Sequence, residues 1–219
     1  MFERITRIIP KYAIIPLIAC MLCNLTAYYV PKLIIDPSRY HDLSIPGVDA
    51  EIPFIAFFVF PYALAFVQWV VGFIAIARES KEWCLKLWTS DCIAKLICLA
   101  IFIIYPTAIT LPEITGSNIA EIAVKTVYFF DTPTNLFPSI HCLESWICIR
   151  MTLPLRRVPE WYKHSTFVLS IFVFASVVLI KQHFAIDILA GILVFEVVYF
   201  IVNKTKMYRL GSRMLPFFN

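Results

Sequence analysis

Two short stretches of this sequence concentrate the side chains that do chemistry. One reads Asn135-Leu136-Phe137-Pro138-Ser139-Ile140-His141-Cys142, the other Lys181-Gln182-His183-Phe184-Ala185-Ile186-Asp187. His183 and Asp187 are four residues apart, so on a helix they share a face and can touch. A carboxylate bonded to one imidazole nitrogen fixes the tautomer and leaves the other nitrogen free as a nucleophile. Ser139 and His141 are expected in the first turn of a helix, where backbone N–H groups and the helix dipole favour a phosphate. Pro138 suits the start of that helix. The Ser139 hydroxyl would add a donor, and Lys181 would bring positive charge to the same anion.

Each residue also has a plainer use. An interfacial histidine can be solvated or cap a helix, Asp187 can be a packing contact, Ser139 an N-terminal cap and Lys181 a snorkelling cation. His141, His183 and Asp187 are in addition suitable types for a metal site. The coincidence of Ser139, His141, His183 and Asp187 on one face favours the nucleophilic reading.

Elements able to position these residues must lie in a bilayer. The 219 residues are 60% hydrophobic and only 16% charged, with a mean hydropathy of +0.79. An average soluble domain carries about 25% charge, so this much apolar surface exceeds what one water-soluble core hides. Disorder is excluded by the same composition. The chain reads as an all-α integral membrane bundle, a single domain over 1–219. A span takes about 20 mostly apolar residues, and six segments qualify, near 11–30, 53–77, 92–110, 137–153, 164–180 and 183–202. Arg78 to Asp91 reads as a charged loop, and Asn118 to Phe130 as a short interfacial helix.

Lysine and arginine collect on cytoplasmic loops. One set of span ends holds fourteen, from Arg4, Arg7 and Lys11 through Arg78, Arg150 and Arg156 to Arg213. The other holds Lys32, Arg39, Lys125 and Lys181. Both termini are therefore expected in the cytoplasm, with both histidines at the outer face. The net charge of +4 fits this asymmetry and gives no reason to expect a nucleic-acid partner. The seven cysteines read as small hydrophobes, Cys20-x-x-Cys23 included, although that pair also has redox spacing. Tyr62, Gln68 and Trp69 read as groove or belt residues, and Glu144 as a neighbour that either tunes His141 or packs the bundle.

Phe-Pro-Ser-Ile-His and Lys-Gln-His-Phe-Ala-Ile-Asp-Ile-Leu-Ala-Gly resemble the second and third signatures of the type-2 phosphatidic acid phosphatase superfamily. The closer likeness is to its branch of inositol phosphorylceramide synthases and related bacterial lipid phosphatases. The resemblance covers about Tyr105 to Gly191. It implies six transmembrane helices and metal-independent chemistry without a cofactor. His183 would be the nucleophile that forms a phosphohistidine, Asp187 its orienting partner and His141 the general acid and base. Ser139 would bind phosphate oxygens. The implied partner is a lipid phosphate at the outer face of the plasma membrane, such as phosphatidic acid, phosphatidylglycerol phosphate, a polyprenyl (pyro)phosphate or a sphingolipid phosphate. Two signature arginines are replaced, by Leu111 and Val177, and Lys181 with Lys125 would compensate in part. Headgroup transfer to an acceptor alcohol, or a silent lipid carrier on the same fold, are the competing expectations.

Overall fold

The computed structural model describes Thr6 and residues 8–214, with the side chains of 213 and 214 left out. Arg4, Arg7, the Arg213 side chain and the Pro216-Phe217-Phe218 tail lie outside the described residues. The described chain is all-α: α1 (Lys11–Ile34), α2 (Val59–Glu79), α3 (Lys81–Ile104), α4 (Ile119–Phe130), α5 (Ile140–Thr152), α6 (Glu160–Leu179), α7 (Ala185–Thr205) and α8 (Tyr208–Met214). Single-turn 3-10 helices at Pro37–Arg39 and Ala56–Phe58 punctuate the first long loop.

Among the described residues, five helices are long and apolar enough to cross a membrane: Lys11–Ile34, Ala56–Glu79, Lys81–Ile104, Glu160–Leu179 and Ala185–Thr205. They leave large apolar side chains such as Leu64, Val70, Leu193 and Phe200 exposed on their outer faces, as a lipid-facing bundle does. The segment expected at 137–153 behaves differently. Its helix, α5, has only 13 residues, about 20 Å at 1.5 Å per residue, against a hydrocarbon core of about 30 Å. Leu143, Ile147, Cys148 and Met151 are fully buried, so α5 runs through the middle of the bundle. Non-helical backbone at that depth is tolerated where protein surrounds it, and 131–139 leads into α5 in this way.

The charged stretch 78–91 is a correction. Only Ser80 interrupts the helices: its backbone is extended and its hydroxyl accepts from the Trp83 amide at 3.2 Å, capping α3. Arg78 and Glu79 close α2, and Lys81 to Asp91 are the first three turns of α3. Both helices continue beyond the apolar windows that hydropathy detects, which carries Cys84 into a buried position. The helix expected over Asn118 to Phe130 forms as α4, with Asn118 and Glu121 exchanging the reciprocal bonds of a capping box.

Hydrogen bonds sort the connections into two ends. At one end, the His41 amide donates to Pro106 O, Asn135 N to Thr107 O and Ile55 N to Leu179 O. At the other, Tyr12 donates to Ala77 O, Arg78 to Ile8 O, the Arg157 amide to Glu79 and Tyr208 to Glu82. Loops 35–55, 105–139 and 180–184 thus gather opposite the basic turns.

The core between α3 and α5 carries charge. Lys95, 1% exposed, forms ion pairs with Asp91 at 3.0 Å and with Glu144. Glu144 therefore belongs to the packing of α3 on α5 and not to His141.

Candidate active site

Helices α5 and α7 begin side by side and bring the two signature stretches together. The Ser139 amide donates to the Asp187 carbonyl at 3.1 Å. A Cβ on Gly191, one turn along α7, would collide with the Ser139 carbonyl oxygen, so only glycine allows this approach. Four residues from Gly191, the Asp187 carboxylate is fully buried. Its Oδ2 lies 3.1 Å from His183 Nδ1 and accepts the Phe184 amide at 2.9 Å. With Nδ1 held by Asp187, Nε2 is the His183 nitrogen left for other chemistry.

His141 faces His183 with ring centroids 5.8 Å apart. Both rings line a cavity of about 280 Å³ whose wall includes Leu25, Tyr29, Phe66, Trp69 and Phe102. One side of this chamber is apolar and the other is not. Thr134 Oγ1, Asn135 Oδ1, His141 Nε2 and Gln182 Nε2 are all buried without a hydrogen-bond partner, and all four residues line it. A buried polar atom left unpaired costs about 1–3 kcal/mol. Four such atoms around one chamber mark a place built for a polar guest.

Asp131 closes the chamber. Its two carboxylate oxygens each accept a phenol, from Tyr28 and from Tyr62, both at 2.6 Å, and Lys32 stands 3.8 Å away. The Tyr62 ring stacks on His141 at 4.5 Å. Burial works against a charge on Asp131, but the His141 imidazole, the two phenols and Lys32 outweigh it, holding the carboxyl below its ordinary value. A second cavity of about 270 Å³ meets His183 from another side, lined by Ser44, Asp49, Thr110 and Lys181.

The remaining expected residues fall elsewhere. Ser139 is the N-cap of α5 and fully buried. Its Oγ accepts the Cys142 amide at 3.3 Å, and it is not among the residues lining either cavity. The helix therefore starts after Ser139, with Pro138 before the cap and not in the first turn. Lys181 has a left-handed backbone (φ 56°), and its ammonium donates to the Asp49 and Ile52 carbonyls. It reaches the second cavity and not the first. Lys125 is exposed on α4, donates to the Gly116 carbonyl at 2.7 Å and lines neither cavity. Tyr62 and Trp69 do reach the site, whereas Gln68 bonds Thr166 and Ser170 in the α2–α6 packing. Val177 packs in the apolar cluster beneath α4.

Sequence reasoning missed Gln182, Asn135, Thr134 and Asp131. Gln182 and Asn135 stand inside the two chemistry-bearing stretches without being given a role; for Thr134 and Asp131 no spacing rule applied, because they lie in irregular backbone. Among the described residues, the metal-ligating atoms that converge most closely are those of Cys20, Asp91 and Cys92, not those of His141, His183 and Asp187.

Comparison with protein-family models, with curated proteins and with solved structures returns no match.

Proposed function

We propose that this protein is a metal-independent lipid phosphatase of the type-2 phosphatidic acid phosphatase kind, working through a phosphohistidine on His183. The observation that carries the reading is the His183–Asp187 pair facing His141 across a chamber of unpartnered polar atoms. The apolar wall suits acyl or prenyl chains, and the polar wall suits a phosphate.

His183 Nε2 attacks phosphorus, an N–P bond forms and the ester P–O bond breaks. Asp187 holds the Nδ1 proton and steadies the imidazolium that develops. His141, in its protonated form, gives a proton to the leaving alkoxide. It then takes a proton from water, whose oxygen attacks phosphorus, breaks the N–P bond and releases inorganic phosphate. Among the described residues no lysine or arginine lines the main chamber. Gln182 and Thr134 donate in place of the signature arginines, and neutral donors are roughly half as strong as charge-assisted ones. Turnover slower than that of an arginine-clamped relative follows.

In this reading α5 with its flanking turns is the sixth crossing, both termini are cytoplasmic and the histidines face the outer leaflet of the plasma membrane. The basic residues at the opposite end support that orientation.

The test is phosphate release from labelled short-chain phosphatidic acid in detergent, with quenching in alkaline denaturant to trap a protein phosphate that later acid treatment removes. Release and label are both expected in the wild type and both absent in His183→Ala. His141→Ala should slow release about 10²- to 10⁴-fold, the usual worth of a general acid and base. Neither release nor label on any of the lipid phosphates named above defeats the proposal. The second cavity, with the Ser44 and Thr110 hydroxyls beside His183, favours one second reading, transfer to an acceptor alcohol. A phosphomonoester of an added lipid alcohol, formed from phosphatidic acid in place of inorganic phosphate, separates transfer from hydrolysis.

A further inference from the structure

A second group of reactive side chains lies between α1 and α3, remote from either histidine in chemistry and in sequence. The Sγ atoms of Cys20 and Cys92 and a carboxylate oxygen of Asp91 lie within 4.8 Å of one another. Cys23 also interacts with the Cys92 thiol. Cys20 and Cys23 are one turn apart on α1, and Asp91 and Cys92 are adjacent on α3. Measured from the basic ends at Lys11 and Lys81, Cys20 is about 14 Å along its helix and Cys92 about 17 Å along its own. Both therefore sit at one depth, well inside the bundle.

The polar pairing at this depth is incomplete. Asp91 and Glu144 are each buried, and the ion pairs formed by both converge on the single ammonium of Lys95. Asp91 Oδ1 and Glu144 Oε2 are buried without any hydrogen-bond partner. Two carboxyl groups share one ammonium, so one oxygen of each stays unpaired in a medium where an unpaired polar group is costly. The unpartnered oxygen belongs to the same Asp91 that stands beside the two thiols.

We propose that Cys20, Asp91 and Cys92, with Cys23 as a fourth donor, bind a thiophilic divalent cation of the zinc type that ties α1 to α3 inside the bundle. Thiolate and carboxylate donors are the set such a cation takes. With metal bonds of about 2.0–2.3 Å in a tetrahedral site, donor atoms end about 3.5–4 Å apart, so Cys20, Asp91 and Cys92 need to close by at most about 1.3 Å. Binding releases the thiol protons and brings positive charge beside Asp91. Asn24, Leu25, Tyr28 and Tyr29, which follow on α1, line the histidine chamber, so the cation would fix one wall of it without touching a reacting atom. This inference stands apart from the phosphatase reading.

The test uses metal alone. Full-length protein is purified in detergent from zinc-supplemented cells, and zinc is counted by mass spectrometry. Exchange for Co²⁺ is followed through the thiolate-to-cobalt charge-transfer absorption. About one zinc per chain and a thiolate–cobalt band are expected in the wild type and in His183→Ala. Cys148→Ser, which alters a buried cysteine outside the cluster, should keep both signals. Cys20→Ser and Cys92→Ser should lose the band, and Asp91→Asn should shift it and weaken binding at least tenfold. Should the Cys20 or Asp91 variants fail to fold, the wild-type spectrum still decides. Less than a tenth of an equivalent of zinc with no thiolate–cobalt band overturns the site. So does a Cys20–Cys92 disulfide in freshly purified protein.

Discussion

Two buried polar regions sit less than two turns apart along α5, and they differ in how their atoms are used. Around Glu144, one oxygen each of Glu144 and Asp91 pairs with Lys95 across α3 and α5, and apolar side chains such as Ala94, Cys98 and Leu143 pack around them. Around His141, buried polar atoms without partners belong to residues that line an open chamber. An ionisable residue at membrane depth is a functional candidate by default, and this bundle shows how to divide such candidates. Those that close on each other hold helices together, while those left facing a chamber await a guest.

The largest effect expected is on the chamber side. His183→Ala should lower phosphatase turnover by about 10⁴-fold or more, as removal of a nucleophile does, with the detergent melting temperature nearly unchanged. A large drop in melting temperature would move His183 to the structural side of the division. On the other side, Lys95→Met leaves two buried carboxylates facing each other. Breaking a buried pair from one side costs roughly 3–5 kcal/mol, so thermal unfolding should come far earlier. Lys95→Met combined with Asp91→Asn and Glu144→Gln should recover much of that loss. Asp187→Asn should cut turnover about 10²- to 10⁴-fold while His183 keeps its place, read as a fall in kcat greater than any change in KM.

A smaller effect comes from Asp131, which joins the chamber to its rim. Its carboxyl is held below the ordinary value, so its charge stabilises the fold above the unfolded value of about 3.9. That contribution disappears as pH falls through the lower folded value. Melting temperature should therefore decline on acidification below about pH 4, and the decline should be shallower in Asp131→Asn. Smallest is Lys125→Ala: a side chain spent on an exposed carbonyl should change turnover by less than about twofold, and a larger loss would return Lys125 to the site.

Much of this was legible before any coordinates. The contact of His183 with Asp187, expected from helical spacing, forms at 3.1 Å, although His183 lies in the turn two residues before α7 begins and only Asp187 is in the helix. Five long spans follow from runs of apolar residues. The boundary at 78–91 was misread because charge was taken to mean loop, although Ser80 three residues before Trp83 is a capping signal. The short α5 was hidden because its surroundings are apolar on both sides, and hydropathy does not separate a buried helix from a lipid-facing one. Thr134 and Asp131 lie in a segment without periodicity. Only tertiary folding carries them to His141, so no rule about neighbours in sequence could find them. Ser139 was read as a phosphate ligand because its type fits, yet the amide of Cys142 is nearer to its hydroxyl than the chamber is.

Asp187 gives its side chain to His183 and its main-chain carbonyl to Ser139, while Gly191 lets the two helix starts meet without a side chain between them. The separation of the histidines is thus gauged by main-chain atoms, like the jaw setting of a vice, and tolerates changes in the surrounding grease. Gly191→Ala would spread the jaws with both imidazoles intact, and lipids with different headgroups would feel that widening unequally.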